Sequence, residues 1–248
     1  MNVVKFFNGI ESADLNKYSK GINEKLRKVL ELEKNVPSES FITFTDNLEL
    51  HHWKNILNER NHFLLINYNA AMFYYEKGIY DDDFLNNAKK VNWENHFNYR
   101  YFIDNFFLSA SSALDNIGYL LKVFYGVEVE KVRDISFKNM INRLNTDIEN
   151  AKFDDNNFKD TKHLLAKLKD IKTNDHRYED FDLMRNNIAH NNPPLTLEKV
   201  VDRKDGMVLV GTGTYQDSER VKKIIEDFLE VYVEIVDILF NISKKFEI

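Results

Sequence analysis

Helix breakers are scarce in this chain: 248 residues carry only 8 glycines and 3 prolines. An interior glycine costs a helix about 1 kcal/mol against alanine, and a proline about 3 kcal/mol. A chain short of both runs easily into long helices and lacks the turn residues that many short strands need. Hydrophobic residues make up 43% and charged residues 30%, a globular rather than a disordered balance. The expected fold class is all-α, an up-and-down helical bundle with long helices.

Local signals divide the chain. Residues 1–45 read as a helical appendage. In it Ser12 is placed to cap a helix running to about Lys34, with Leu15, Ile22, Leu26, Val29 and Leu30 at helical spacing. Pro37 and Ser38 break that helix, and a short extended piece is expected over 41–44. Residues 46–248 read as the main bundle. Trp53, Ile56, Leu57, Phe63, Leu64, Tyr68 and Met72 carry a helix to about Tyr75. The run Asp81, Asp82, Asp83 is better explained as a cap with charges suited to a helix N-terminus than as a metal cluster. One very long helix is expected from about Asp83 to Tyr125, stopped by Gly126. Its small residues, Ser109 to Ala113, permit a close neighbour. Ser136 opens another helix, a further one covers about 157–171, and Asp175 caps the next. A Val-rich stretch with an Asp-Gly turn signal reads as a small β-hairpin insertion, roughly 197–202 and 207–214. Asp217 or Ser218 caps the last helix, where Ile225, Phe228, Tyr232, Ile235, Leu239, Ile242 and Phe246 form a packing seam.

Several function classes are disfavoured. The net charge of −6 is wrong for a strongly basic nucleic-acid-coating body, although a local positive site is compatible with it. With no cysteine there is no disulfide, thiolate metal site or cysteine nucleophile. The N-terminal residues lack the features of a signal peptide, and a cytoplasmic location is expected. The most apolar stretch, 106–126, is interrupted by Asp115 and Asn116, so no membrane span is expected. His51 and His52 are adjacent and would point in different directions on a helix; His62, His96 and His163 stand apart; His176 has Asp175, Glu179 and Asp180 nearby. No HExxH, P-loop or GxSxG pattern occurs, and the GTGT at 211–214 departs from the dinucleotide fingerprint. No metal or cofactor is expected. Lys159, Lys162, Lys167, Lys169 and Lys172 give one helix a basic side, a solvated face or an RNA-contacting rim.

The least ordinary stretch is RNNIAHNNPP, residues 185–194. On a helix, Phe181, Met184 and Ile188 share the core face. Asn186 and His190 share a nearly opposite face beside Leu183, and Arg185 lies on the flank. A polar pair beside an outward leucine suggests a surface that a second subunit covers. The plainer account is a helix end: a histidine favoured by the macrodipole, then Asn191, Asn192 and Pro193 as a stop. Asp115, in the apolar setting SSALDNIGYLL, either pairs with a buried partner or reaches a site. Ser112 lies one turn before it.

The set Arg185-Asn186-Asn187-Ile188-Ala189-His190 resembles the signature of the HEPN superfamily: arginine, a polar residue, a short spacer, then histidine near the end of a late bundle helix. The resemblance covers about residues 46–248, with the hairpin inserted before the last helix. It implies metal-independent endoribonuclease activity, with attack by the RNA's own 2′-hydroxyl. It implies His190 in proton transfer, Arg185 on the phosphate and Asn186 in support, with Asp115 and Ser112 as weaker candidates. It further implies a homodimer with both motifs in one groove, RNA or nucleotide as ligand, and a toxin or phage-defence role with a nucleotidyltransferase-type antitoxin as partner. The alternative within the family is a non-catalytic module that binds nucleotide or protein.

Overall fold

Two of the scarce glycines sit just past long helices. Gly78 follows the helix that ends at Glu76 and Gly126 the one that ends at Tyr125, with φ of 97° and 60°. A Cβ is unfavourable at such angles, so glycine is the natural terminator. The computed structural model describes residues 9–11, 14–33, 41–86, 90–149, 156–190, 199–204, 207–212 and 215–246. In chain order the helices are α1 (Asp14–Lys17), α2 (Lys20–Leu26), α3 (Phe41–Glu76), α4 (Asp81–Asn86), α5 (Trp93–Tyr125), α6 (Phe137–Glu149), α7 (Asn156–Asn174), α8 (His176–His190) and α9 (Ser218–Ser243). Between α8 and α9, strands β1 (Lys199–Lys204) and β2 (Met207–Thr212) pair antiparallel, with Val201 opposite Val210. Residues Asp205 and Gly206, the expected turn, lie outside the described residues.

Helices α3 and α5 run antiparallel. Contacts pair Glu49 with Lys122, Trp53 with Tyr119, Asn67 with Ser109 and Tyr75 with Tyr99. Helix α9 completes the core. Its seam residues Ile225, Phe228, Tyr232, Ile235, Leu239 and Ile242 are buried, and so are Val221, Leu229 and Val236 beside them. It is enclosed on more sides than one seam requires.

Three expectations are corrected. The appendage does not form one helix to Lys34. α1 and α2 are separate, and Arg27–Glu31 form a 3-10 turn. The break at Tyr18 and Ser19 is held from α3: buried Asn69 accepts from the Tyr18 N–H at 3.0 Å and donates to Ser19 Oγ at 2.6 Å. Such a partner can hold a break that local spacing does not announce. Ser12 lies outside the described residues. Second, 41–44 is helical, the first turn of α3. Extending an existing helix is cheap compared with nucleating one, so β-branched and aromatic residues there are tolerated. Third, 83–125 is not one helix. α4 stops at Asn86 and α5 starts at Trp93, where the Asn92 side chain caps the N–H of Asn95 at 3.1 Å.

The caps read from sequence at Asp175 and Asp217 accept from Arg177 N–H at 2.9 Å and Arg220 N–H at 2.7 Å. Asp81 has a longer reach than a local cap. Its carboxylate accepts from the N–H and hydroxyl of Ser218, at 3.0 and 2.7 Å, and from the Tyr215 hydroxyl. It thereby ties the start of α4 to the start of α9. Among the described residues, no helix is long and apolar enough to cross a membrane.

Candidate functional site

The rotation of α8 is fixed by what it packs against. Phe181 is stacked between Phe107 of α5 and Phe228 of α9, with ring centroids 5.5 and 3.7 Å away. Each such aromatic pair adds about 0.5–1.5 kcal/mol beyond its area burial. Tyr178 and Met184 are buried on the same side, and Ile188 packs against the core. Ion pairs hold its first turns: Arg177 reaches Asp175 at 2.7 Å and Glu234 of α9 at 3.3 Å, while Arg220 of α9 reaches Asp180 at 2.7 Å.

That packing leaves the opposite face of α8 outward. Leu183 is 60% exposed, Asn186 is half-buried, and His190 is exposed as the last residue of the helix. Residues 191–194, the stop signal of the sequence, lie outside the described residues. Arg185 sits on the flank, half-buried. Its Nη2 donates to Asp182 Oδ1 at 2.8 Å, and Asn186 Nδ2 donates to Asp182 Oδ2 at 3.5 Å. One carboxylate, a turn earlier on the same helix, therefore touches two of the three motif residues, Arg185 and Asn186. The buried Arg185 Nε has no hydrogen-bond partner among the described residues.

Asp115 approaches this group from α5. Burial raises its carboxyl above the usual carboxylate range, while a hydrogen bond from the Phe137 N–H and the charge of Arg185 pull it back down. Phe137 is the first residue of α6, so Asp115 helps to cap that helix from outside. Gly118, one turn along α5, makes this approach feasible: a Cβ there would lie 2.6 Å from the Ser136 carbonyl carbon and 2.8 Å from the Phe137 nitrogen. Ser112 is half-buried and makes no hydrogen bond to the motif residues. Tyr178 lies among these charges. Burial raises its hydroxyl pKa most, Asp182 and Asp115 add to the rise, and Arg185 opposes it.

A cavity of about 370 Å³ opens beside the motif, lined by Lys138, Lys172, Thr173, Tyr178, Glu179, Asp182, Leu183 and Asn186. A larger cavity, about 1180 Å³, lies elsewhere, between the end of α5 and the first turns of α6, and is lined by none of the motif residues. Asp182 and Lys138 were not singled out from sequence. For Asp182 a signal existed, since three- and four-residue spacing on a helix puts it beside Arg185 and Asn186.

The other histidines are dispersed. His51, His52, His62, His163 and His176 are exposed; His96 is buried, and burial lowers its pKa. Among the described residues, no three His, Asp or Glu side chains gather as a metal-binding group.

No curated protein and no solved structure matches the chain at a significant level. A family model does: that of Cthe2314-like HEPN matches residues 53–244. The match runs from within α3 to the last residues of the bundle and takes in α8 whole, and the chain belongs to the HEPN superfamily.

Proposed function

We propose that the protein is a metal-independent endoribonuclease whose active residues are Arg185, Asn186 and His190. One observation carries the reading: the exposed His190, the half-buried Asn186 and the flanking Arg185 lie together on the uncovered side of α8, with Asp182 holding the two that touch it. In the reaction, the 2′-oxygen of the RNA attacks the adjacent phosphorus and the bond to the 5′-oxygen breaks. The 2′-hydroxyl gives up its proton and the departing 5′-oxygen gains one. The products are a 2′,3′-cyclic phosphate and a 5′-hydroxyl. Histidine suits these proton transfers because its ordinary pKa is near neutral. The Arg185 guanidinium stabilises charge gathering on the phosphoryl oxygens. Asn186 orients the phosphate. Asp115 already accepts from the Phe137 N–H, so we give it an electrostatic part through Arg185. Ser112 receives no step.

In this proposal two copies pair through the outward face of α8, which leaves Leu183 60% exposed in the single chain. Both motifs then line one groove. A toxin or phage-defence role follows naturally, with a nucleotidyltransferase-type antitoxin as the partner class. The test is incubation of wild type and His190→Ala with mixed cellular RNA in EDTA, with product ends analysed. Wild type is expected to leave cyclic phosphate ends, and His190→Ala to be at least about 100-fold slower. Equal cleavage by both proteins would sink the assignment.

A second reading, a non-catalytic module that binds nucleotide or protein, is favoured by one feature. Arg185 is already paired with Asp182, which partly neutralises its charge. RNA binding without cleavage would establish it.

A further inference from the structure

Cations near α8 are mostly committed. Arg177 is paired with Asp175, Arg220 with Asp180 and Arg185 with Asp182. Two are not. Lys138 and Lys172 both line the 370 Å³ cavity beside the motif, and neither forms a salt bridge among the described residues. They come from different helices: Lys138 from the first turn of α6, Lys172 from the last turn of α7. Lys172 donates to the side-chain oxygen of Asn142. Burial lowers its pKa, and the charges of Lys138 and Lys169 lower it further, so the two ammonium groups repel each other across the cavity.

The place of Lys138 is informative. A helix N-terminus favours anions and disfavours cations. The first turn of α6 has no acidic residue and carries this lysine. Lys172, near a helix C-terminus, needs no such explanation; Lys138 does. Asp115 accepts from the Phe137 N–H at this terminus, but Lys138 still faces a second cation across the cavity, an arrangement that an incoming anion relieves. The opposite wall holds Glu179 and Asp182. Asp182 is engaged with Arg185 and Asn186, and both carboxylates confine an anion to the lysine side. The positive side also continues along α7. Lys162 and Lys169 line the neighbouring cavity of about 330 Å³ and share a helix face with Lys172.

We propose that the cavity beside Asn186 is an RNA subsite, in which Lys138 and Lys172 hold a phosphate adjacent to the one held at Arg185. The strand then runs on along α7 towards Lys169 and Lys162. The inference rests on α8 being an RNA site, and adds where the neighbouring nucleotide goes. It also reconciles an overall acidic chain with an RNA ligand, since two phosphate contacts need only local charge.

The test uses a labelled 2′-O-methyl oligoribonucleotide, which cannot be cleaved by 2′-oxygen attack. Its binding is followed by anisotropy across a salt series. The variants are Lys138→Ala/Lys172→Ala, Lys138→Glu alone, and Lys167→Ala as a control on another side of α7, where it lines a different cavity. The double variant is expected to bind at least about tenfold more weakly, with a log–log salt slope shallower by about one. Lys138→Glu should weaken binding in the same direction, and Lys167→Ala should bind as wild type does. Circular dichroism confirms that each variant is folded. With cleavable RNA, the double variant should raise KM and leave kcat near wild type. Unchanged binding and slope in the double variant overturn the subsite, even if His190-dependent cleavage stands. Lost binding in the double variant, with no cleavage by any protein, upholds the subsite and removes the enzyme. An oligonucleotide that wild type does not bind overturns both.

Discussion

Arg185 faces two carboxylates, Asp182 on its own helix and Asp115 on α5. In the free protein its charge is therefore partly neutralised, and a phosphate must compete for the guanidinium. The plain sequence shows Arg185, Asn186 and His190 as a pattern, because their spacing is local. It leaves Asp115 ambiguous, because its partner, the Phe137 N–H, comes from another helix. Asp104 on α5 is a second carboxylate under strain. Burial raises its pKa from 3.8 to about 6, only partly offset by Arg100, and its Oδ1 is buried without a hydrogen-bond partner among the described residues. A folded-state pKa above the unfolded value makes the charged form a liability. The cost is absent below pH 3.8, grows towards about 6, and is fully present above that. Asp104→Asn should therefore stabilise the protein at pH 7.5 by about 1–3 kcal/mol and have little effect at pH 3.5. Urea unfolding at the two pH values checks this; an equal effect at both would remove the titration as its cause.

At the scale of elements, the junction between α5 and α6 is the tightest feature described. Gly118 lets the backbone of Ser136 and Phe137 lie against α5. Alanine there gains about 1 kcal/mol of helix propensity but meets backbone atoms that cannot rotate away, for a net loss of about 1–2 kcal/mol. Gly118→Ala should thus lower the urea midpoint and loosen the Phe137–Asp115 hydrogen bond, visible as faster amide exchange at Phe137. The sequence reads best where the cause is local. Asp217 caps α9 and Ser136 caps α6, accepting from the Asn139 N–H at 3.2 Å, because cap chemistry acts over three residues. It reads worst where a distant side chain decides. The break at Ser19 belongs to Asn69, and the distant hold of Asp81 on Ser218 has no local signature. The lysines of the subsite are similar: Lys138 and Lys172 meet only once α6 and α7 are folded together.

For the whole molecule, exposed large apolar side chains mark where a second copy would add most. Besides Leu183 on α8, they include Trp93, Phe97, Tyr101 and Leu108 along α5. With a net charge of −6, two copies repel weakly at long range, so the proposed pairing would have to come from such contacts. If α8 forms the proposed groove, light scattering should give a dimer. Leu183→Asp should give a folded monomer that cleaves RNA at least about tenfold more slowly, since removing apolar burial and adding a charge costs an interface several kcal/mol. A monomeric wild type would refute that arrangement. The stacking of Phe181 between Phe107 and Phe228 has a consequence in time as well as in space. Phe228 belongs to α9, which a ribosome makes after α8. Until α9 has emerged and docked, one face of Phe181 has nothing to lie against, and Arg220 is not there to hold Asp180. A chain still being translated can thus carry every residue of the motif and yet lack the support that aims it, so the proposed RNA cleavage would spare the message encoding it.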